Sequence, residues 1–407
     1  MKTTSPIILT VNGGSSSIRF GIYRLEAMLE QQLHGKLDRI GSNNPRLTFS
    51  HATGQNHEQH CAGITDYPSA IEALLAWLAA QEIFATVSAI GHRIVHGMQH
   101  LTPEVVTQDL TRDLRHIASI DPDHLPGELD LIDAFSSLAP ALPQVACFDT
   151  TFHQHMPPVA TMMAIPRRYS RKGIRRYGFH GLSYAYLMEE LQRINGEGRA
   201  TATHGRVILA HLGHGASMTA VHDGKSIDTS MGFTPASGLP MGTRAGDIDP
   251  GLVAYLAHTE QMSSMQFDAM MNHESGLLGI SETSSDMGDL LAIESSDSSA
   301  AEAVAVFCYQ AKKQIGAFTA ALGGLDTLVF AGGIGENAAV VRERICTGLG
   351  FLGIELDASR NATNAAVIST DTSRVAVRVI RTDEGLMIAR SVCSVLGYTS
   401  RTGEIQP

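Results

Sequence analysis

Short apolar runs in the first half of the chain predict strands, and apolar residues three and four positions apart predict helices. The predicted strands are residues 7–12, 18–25, 87–95 and 145–148. The predicted helices are residues 68–81, 107–118, 125–138 and 184–192. Residues 41–66 are polar and irregular and indicate a hairpin with a surface loop. Strands that alternate with helices are typical of α/β folds.

The second half repeats this alternation. It opens with a strand, a glycine loop and a second strand at residues 207–220. Helices are predicted at residues 249–258, 264–272 and 298–322, with a strand at 327–331 and a helix from residue 338. A strand at 375–380 and a helix at 386–396 end the pattern. Both halves are therefore expected to be α/β, with mixed sheets flanked by helices.

One strand–loop–strand device is present twice, about 200 residues apart. The loops are Asn12-Gly13-Gly14-Ser15-Ser16 and Gly213-His214-Gly215-Ala216-Ser217. Such a loop points successive backbone N–H groups at one spot, and its small residues let an anion approach closely. The repeat predicts two similar domains facing each other across a phosphate, at residues 1–200 and 201–407, with the C-terminal helix packing back onto the first. This is the layout of a phosphotransferase that closes on its nucleotide.

Composition narrows the choice of partners and compartment. The 407 residues include 30 Lys and Arg against 41 Asp and Glu, a formal net charge of −11. This balance argues against nucleic acid or an anionic membrane surface as the main partner. The N-terminus shows no signal-peptide pattern, and no apolar run reaches the roughly 18 residues of a membrane span. The five cysteines form no Cys-x-x-Cys pair, which favours a reducing cytoplasm, and the histidines lack zinc-ligand spacing.

Phosphoryl transfer requires a magnesium ion, donors to the phosphoryl oxygens and in-line positioning of the reactants. Asn12 and Glu384 are candidates for holding Mg²⁺, directly or through its waters, because Mg²⁺ prefers few carboxylate ligands and retains water. Asp149 ends a predicted strand and is a candidate to orient the metal or polarise an attacking group. The structural alternatives are a turn residue for Asn12, an exposed helix start for Glu384 and a cap for Asp149.

Two arginines and a histidine are candidates for binding the reactants. Arg93 lies in a predicted buried strand, where a guanidinium group needs an ionic partner. Arg244 lies in a glycine-rich loop with two nearby aspartates, and a surface position is its alternative. His180 follows Tyr177-Gly178-Phe179 and is a candidate donor to a moving phosphoryl group. A buried, purely structural histidine is the more frequent case.

A nucleotide loop is predicted late in the chain. No complete Walker A loop is present, because Gly224-Lys225-Ser226 lacks the glycine five positions before it, but Gly332-Gly333-Ile334-Gly335-Glu336-Asn337 follows a predicted strand. The basic segment at residues 167–177 is interpreted as a solvated loop or a dimer surface.

Together these motifs resemble the acetate kinase family, within the acetate/sugar kinase–heat-shock–actin superfamily, over essentially the whole chain. The motifs that carry the resemblance are Val11-Asn12-Gly13-Gly14-Ser15-Ser16-Ser17, His92-Arg93-Ile94-Val95-His96-Gly97, Phe148-Asp149-Thr150-Thr151-Phe152-His153, Arg176-Tyr177-Gly178-Phe179-His180-Gly181, Met241-Gly242-Thr243-Arg244, Ser275-Gly276-Leu277-Leu278-Gly279-Ile280-Ser281 and Gly332-Gly333-Ile334-Gly335-Glu336-Asn337. Each is weak alone, whereas all of them in this order are highly specific.

The resemblance implies duplicated ribonuclease-H-like, actin-like ATPase domains. The N-terminal domain would serve the carboxylate and the phosphoryl group, and the C-terminal domain the nucleotide. It also implies a homodimer and reversible transfer of the ATP γ-phosphoryl group to acetate, giving acetyl phosphate and ADP, with Mg²⁺ or Mn²⁺.

By matching motif, the resemblance assigns roles to particular residues. Asn12 and Glu384 correspond to the magnesium site. The catalytic residues are Arg93, Asp149, His180 and Arg244, and Arg93 also binds the substrate carboxylate. A small apolar acetate pocket is expected from Val95, Ile120, Phe179 and Pro235. The nucleotide-contacting residues are Arg19, His211, Leu212, Gly213, His214, Gly215, Asp286, Met287, Gly288, Gly333, Ile334, Gly335, Glu336 and Asn337.

The chain departs from the family pattern at four places. His214 replaces an asparagine of the phosphate loop, and Gly288 replaces an arginine near the nucleoside, which bears on purine selectivity. Ile120-Asp121-Pro122-Asp123-His124 replaces Leu-His-Asn-Pro, so a substrate-side histidine is missing or displaced to His124. In Thr382-Asp383-Glu384-Gly385, Glu384 is the only carboxylate of the usual pair.

Three alternatives stay open at this point. A propionate kinase differs only in pocket volume, and Val95 favours acetate. An acyl kinase with another phosphoryl donor, such as pyrophosphate or GTP, is suggested by Gly288. An actin-like ATPase would use the same nucleotide site but needs no carboxylate site, so Arg93, His180 and Arg244 favour the kinase.

Overall fold

A computed structural model of the chain describes residues 5–14, 16–42, 44–52, 54–195 and 205–399. Two units emerge from its internal contacts. The first joins Met1–Thr151 to Asp383–Pro407, and the second is Phe152–Thr382. The division predicted near residue 200 lies outside the described residues. The units change at Thr151 and Thr382, because the helix after His180 packs on the second sheet and the last helix packs on the first.

The described residues form thirteen strands and fifteen α-helices. The strands are β1 (Ile7–Gly14), β2 (Ser17–Leu25), β3 (Leu29–Asp38), β4 (Arg46–His51), β5 (Asn56–His60), β6 (Ala89–Ile94), β7 (Glu104–Val105), β8 (Gln144–Phe148), β9 (Arg206–Leu212), β10 (Ala216–His222), β11 (Lys225–Thr229), β12 (Thr327–Ala331) and β13 (Ala376–Val379). The helices are α1 (Tyr67–Ala79), α2 (Gln108–Ile117), α3 (Leu125–Leu138), α4 (Pro158–Thr161), α5 (Arg167–Ser170), α6 (Gly181–Asn195), α7 (Gly251–Thr259), α8 (Ser264–His273), α9 (Gly276–Ser281), α10 (Met287–Ile293), α11 (Ser298–Leu322), α12 (Gly332–Asn337), α13 (Ala339–Cys346), α14 (Ala358–Ala362) and α15 (Glu384–Leu396).

The first unit is an eight-stranded sheet with helices on both faces. Its strand order is β5-β4-β3-β2-β1-β6-β8-β7, with β1, β6 and β8 parallel and β1 to β5 joined as antiparallel neighbours. Leu9 and Val11 of β1 pack against α1 and α3. On the other face α15 comes so close that a Cβ at Gly91 would lie 2.4 Å from Ile388 and 2.6 Å from Val392. Glycine at this position lets the last helix seat on the sheet.

The second unit repeats the central part of the first. Its sheet order is β11-β10-β9-β12-β13. The directions match those of β3-β2-β1-β6-β8: two antiparallel pairs at the hairpin end, then two parallel pairs. Helix α6 packs its Tyr184 and Leu187 against Val207 and Val329. The predicted α/β class with mixed sheets and an internal repeat is therefore confirmed.

Most predicted elements match the structure, but strand β3 was not predicted and residues 332–337 differ from their prediction. Residues 332–337 were expected to be a loop before a helix at residue 338, but they form α12, which is separated from α13 at Ala338. The left-handed backbone of Gly332, with φ of 74°, starts this helix directly after β12. No helix among the described residues is both long enough and apolar enough to cross a bilayer. All five cysteines are free thiols.

Two buried histidines should make the fold sensitive to acid. His92 hydrogen-bonds Gln144 Oε1 through Nε2 at 2.6 Å, and burial lowers the pKa of His92 to about 4, as it does for His153. An unfolded histidine has a pKa of about 6.5. Between these values the unfolded chain binds protons that the native chain does not, so the free energy of unfolding falls as the pH falls. At pH 5 each histidine should cost about 2 kcal/mol relative to pH 7.

Urea unfolding at pH 7 and pH 5 tests this prediction. Between pH 7 and pH 5 the free energy of unfolding of His92→Gln should fall by about 2 kcal/mol less than that of the wild type. This difference does not depend on the stability of the variant at pH 7. His60→Gln, in the exposed strand β5, is the control and should lose as much as the wild type. Equal losses in all three proteins would contradict the assignment.

Candidate active site

Three of the candidate side chains of the first unit lie at neighbouring strand ends. Asn12 is in β1, Arg93 is the penultimate residue of β6, and Asp149 directly follows β8. These strands are parallel neighbours, so their carboxyl ends meet at one edge of the sheet. The Asp149 N–H donates to the carbonyl of Ile94 at 2.9 Å, which fixes the turn that presents the carboxylate.

Arg93 is the centre of this group. Its Nε and Nη2 donate to Asp149 Oδ2 at 3.0 and 2.6 Å, and its Nη1 donates to Asn12 Oδ1 at 3.2 Å. Asp149 is 1% exposed and the Arg93 side chain 13%, so little solvent screens the pair. Burial lowers the pKa of Arg93, but Asp149 and Glu384 outweigh it and raise that pKa above its usual value. The guanidinium group is therefore permanently charged and is held by its carboxylate partner.

The two predicted magnesium residues meet at the same place. Glu384 begins α15, and its Oε2 accepts a hydrogen bond from Asn12 Nδ2 at 2.7 Å. Asp149 and Glu384 together carry more negative charge than Arg93 neutralises. No group of three or more His, Cys, Asp or Glu side chains in the described part of the chain is arranged to hold a metal ion. These oxygens fit a largely hydrated Mg²⁺, which needs few protein ligands, better than a metal held by protein alone.

Glu128 is a buried carboxyl group that the sequence reasoning missed. Its two oxygens accept hydrogen bonds from the Val95 N–H at 3.2 and 3.1 Å, and the residue is 2% exposed. Burial raises the pKa of Glu128 well above its usual value, and Arg93 only partly opposes this shift. The sequence signal that could have identified Glu128 is its position as a charged residue on the apolar face of α3, between Leu125 and Leu129.

The remaining candidates of the first unit are placed as follows. Val95 is 1% exposed and follows β6, whereas Ile120 is half-buried at the end of a short 3₁₀ turn. Arg19 is exposed in β2 directly opposite Asn12, so both side chains leave the same face of the sheet. His124 Nδ1 lies 2.8 Å from Asp121 Oδ1, which orients the ring, and its role as a displaced substrate-side histidine stays a prediction.

Two glycine segments lie side by side in the second unit. The Gly213 N–H donates to the Gly215 carbonyl at 3.1 Å, and a Cβ on Gly213 would lie 3.8 Å from the Gly333 nitrogen. Glu336 Oε1 accepts the N–H groups of Gly332 at 3.1 Å and Thr382 at 3.2 Å, which fastens α12 to the chain after β13. The predicted nucleotide segments around residues 211–215 and 333–337 are thus neighbours.

His180 and His211 form a stacked pair beside the first of these segments. Their ring centroids are 4.3 Å apart with an interplanar angle of 22°. Ser183 Oγ accepts a hydrogen bond from Thr382 at 2.8 Å and lies 2.8 Å from His211 Nδ1, so its own hydrogen is left for that ring. His180 has a left-handed backbone with φ of 59°, which costs roughly 1–3 kcal/mol and is typical of functional sites.

His153 supports this strained backbone. From the sequence it was named only as part of a motif and was given no role. It is 2% exposed, with Nδ1 2.8 Å from Ser226 Oγ and Nε2 3.1 Å from the Phe179 carbonyl. A carbonyl oxygen can only accept, so His153 carries its proton on Nε2 and donates it to Phe179. Phe179 itself is 1% exposed and directly precedes His180.

Arg244 and His214 occupy adjacent loops. The Gly242 N–H donates to the His214 carbonyl at 2.9 Å, and a Cβ at Gly242 would meet the His214 ring at 2.3 Å. Arg244 is half-buried and its Nη1 donates to the Pro235 carbonyl at 3.4 Å. Burial lowers the pKa of His214 and Arg244 lowers it further, whereas Asp286 raises it. His214 is therefore biased toward its neutral form.

The segment around Gly288 starts helix α10. Asp286 is the N-cap and its Oδ1 accepts the N–H groups of Gly288 at 2.7 Å and Asp289 at 3.1 Å. Met287 is buried, whereas Asp286 and Gly288 are exposed. Of the predicted nucleotide contacts here, the exposed cap and the exposed glycine are available to a ligand, and the Met287 side chain belongs to the core.

The sequence is similar to one protein family and to named members of it. A model of the acetokinase family matches residues 7–390. An acetate kinase of Rhodopseudomonas palustris is 42% identical over 402 residues, 95% of this chain and 98% of its own length. A propionate kinase of Escherichia fergusonii is 40% identical over 396 residues, covering 95% and 96%.

Solved structures give the same result. An acetate kinase from Porphyromonas gingivalis aligns with a TM-score of 0.83 at 33% identity, over 96% of this chain and 100% of that one. A propionate kinase from Francisella tularensis aligns with a TM-score of 0.86 at 36% identity, over 95% and 98%. The similarity therefore extends over nearly the whole length of each protein.

Proposed function

The chain belongs to the acetokinase family, and from this premise we propose that it transfers the γ-phosphoryl group of ATP reversibly to acetate, giving acetyl phosphate and ADP. Membership makes it a phosphotransferase with a carboxyl group as acceptor. The observation that carries the proposal is the buried Arg93–Asp149 pair with Asn12 and Glu384 at one sheet edge. A nucleotide-binding protein without a carboxylate substrate has no need of this cationic group.

In the proposed reaction Arg93 binds and orients the acetate carboxylate, and Asp149 holds the guanidinium in place. A carboxylate oxygen attacks the γ-phosphorus in line, the bond to the β–γ bridging oxygen breaks, and ADP leaves with that electron pair. His180 and Arg244 donate to the oxygens of the transferring group, where negative charge is redistributed in the transition state. The glycine segments at 213–215 and 333–337 bind the nucleotide through their backbone N–H groups.

Asn12 and Glu384 would hold Mg²⁺ through its waters, and the ion, when bound, neutralises phosphate charge. Mn²⁺ accepts the same oxygen ligands.

Trapping of acyl phosphate as a hydroxamate tests the proposed function. The purified chain with ATP, Mg²⁺ and acetate should form acetyl hydroxamate with hydroxylamine, and omission of acetate or ATP should abolish it. ATP hydrolysis that does not depend on any carboxylic acid would favour an actin-like ATPase. Running the assay with GTP and pyrophosphate determines the donor, for which Gly288 leaves the preference open.

Propionate is a second candidate acceptor, since the chain is also similar to named propionate kinases. Val95, which we place in the acyl pocket, should decide between the two acids. Val95→Ala removes two methyl carbons, and one methylene is worth about 1–3 kcal/mol of discrimination. The ratio of kcat/KM for propionate to that for acetate should therefore rise about 10-fold or more in this variant.

Val145→Ala removes the same atoms from the buried strand β8 and is the control. It should lower stability without changing the propionate-to-acetate ratio. If the propionate-to-acetate ratio is unchanged in Val95→Ala, the proposal that Val95 lines the acyl pocket is wrong.

We also propose a cytoplasmic homodimer. The free thiols fit a reducing compartment. Helices α7 and α8 contain apolar residues, yet none of their residues is buried, and Tyr255 and Met265 are 63% and 81% exposed. Such a surface is typical of a subunit interface. Sedimentation equilibrium should give twice the mass of the 43.5 kDa chain.

A further inference from the structure

We propose that Ser217, backed by Tyr184, is a positioning residue that fixes the His180 ring with its Nε2–H directed toward the glycine loop of β9 and β10. The inference rests on the proposed function in one respect, namely that His180 donates to the transferring phosphoryl group. It adds two residues whose side chains act on the reaction only through His180.

The main chain at His180 is held by hydrogen bonds that do not involve its ring. The Phe179 carbonyl accepts a hydrogen bond from His153, and the His180 carbonyl accepts the first hydrogen bond of α6, from Tyr184 N–H at 3.0 Å. Neither contact limits rotation of the imidazole about its side-chain bonds. Ser217 Oγ lies 2.9 Å from His180 Nδ1 and supplies that restraint.

In the proposed arrangement Tyr184 donates to Ser217, and this direction sets which nitrogen of the His180 ring carries the proton. Ser217 and Tyr184 are both 0% exposed, and their oxygens are joined by a short hydrogen bond. When Tyr184 donates to Ser217, the single hydrogen of Ser217 is directed to His180 Nδ1. A neutral imidazole that accepts at Nδ1 carries its proton on Nε2.

The opposite nitrogen then faces the phosphate-binding segment. A Cβ built at Gly215 would lie 3.5 Å from His180 Nε2, so the Nε2–H borders the loop that contains Gly213 and Gly215. His211, stacked at 4.3 Å, disfavours a second positive charge on this pair of rings. Together these contacts present an oriented N–H donor, which is what stabilisation of a transferring phosphoryl group requires.

A pair of nearly isosteric substitutions separates the hydroxyl from the packing. Ser217→Thr keeps the hydroxyl and Ser217→Val does not, whereas the two side chains have the same shape and add the same bulk to the buried strand β10. We expect kcat of the Val variant to be about 10- to 100-fold below that of the Thr variant, the range found when a metal-bound imidazole loses the partner that orients it. The KM values for ATP and acetate should be similar in the two. Equal kcat values would overturn the proposal.

The His180→Ala background distinguishes positioning from structure. If Ser217 acts through the imidazole, the Thr-to-Val difference should vanish once that ring is absent. A difference that persists would show a structural role and refute the inference. Tyr184→Phe removes only one buried oxygen and should lower kcat less than Ser217→Val does, and unchanged kcat would exclude Tyr184. Failure of the proposed function is recognised separately, because the wild type would then form no acyl phosphate.

Discussion

Arg93→Ala should lower kcat for acyl phosphate formation by at least about 10²–10³-fold and raise the KM for acetate. In the proposed reaction the guanidinium group binds the attacking carboxylate, and Asp149 holds it through hydrogen bonds from Nε and Nη2. Removing it loses both the binding of the acid and its alignment with the phosphorus. Misalignment of reacting atoms by about 1 Å is enough to cost about 10²-fold.

The same substitution has a structural effect that must be separated from catalysis. Asp149 is 1% exposed, and breaking a buried ion pair costs about 3–5 kcal/mol because a charge is left without its partner. Arg93→Lys keeps the charge but cannot reproduce the three donors that reach Asp149 and Asn12. It should be more stable than Arg93→Ala and still be at least about 10-fold slower than the wild type.

Arg115→Ala is the matched control for this experiment. Arg115 pairs with Asp133 in the same unit, but both side chains are about half exposed, and exposed pairs contribute about 0–1 kcal/mol. Its kinetics should equal those of the wild type. Circular dichroism should first show that Arg93→Ala is folded. Near-wild-type turnover of the folded variant would refute the role of Arg93.

The fold could be predicted wherever local signals and burial agree. Helix α11 was predicted at its observed bounds from its many alanines, and the structure shows that Asp297 caps its start and that Gly323 ends it in a left-handed conformation. Strand β3 was missed, since Gln31 and Gln32 leave little apolar alternation and its place depends on pairing with β2 and β4.

Helix α12 was missed for a related reason. Its glycine-rich sequence disfavours a helix locally. The packing of Gly332 against the Leu212 carbonyl, where a Cβ would lie 2.7 Å away, is a long-range contact that no local pattern contains.

Part of the candidate active site could also be predicted from the sequence. Asn12, Arg93 and Asp149 were identifiable because polar side chains at the ends of buried strands are costly unless they are paired, and the sheet order then brings them together. Glu128 and Ser217 were not identified. Their significance depends on partners that are 33 and 37 residues away, Val95 and His180.

Arg244→Ala should likewise lower kcat by about 10²–10³-fold, but with a different signature from Arg93→Ala. Arg244 is proposed to bind the transferring phosphoryl group, whose charge changes in the transition state, and not the resting carboxylate. The KM for acetate should therefore change little while kcat falls. Arg244→Lys retains a point charge without the planar fork and should recover only part of the rate.

The neighbouring histidine provides a second readout for the same variant. Arg244 lowers the pKa of His214, so its removal should raise that pKa, and ¹H NMR titration of the variant should show the His214 resonance shifting at higher pH than in the wild type. Arg360→Ala, which breaks the exposed pair with Asp371 in the same unit, should alter neither kcat nor this titration. Unchanged kcat in Arg244→Ala together with a shifted His214 titration would place the guanidinium beside His214 but outside the reaction, and the proposed phosphoryl contact would be wrong.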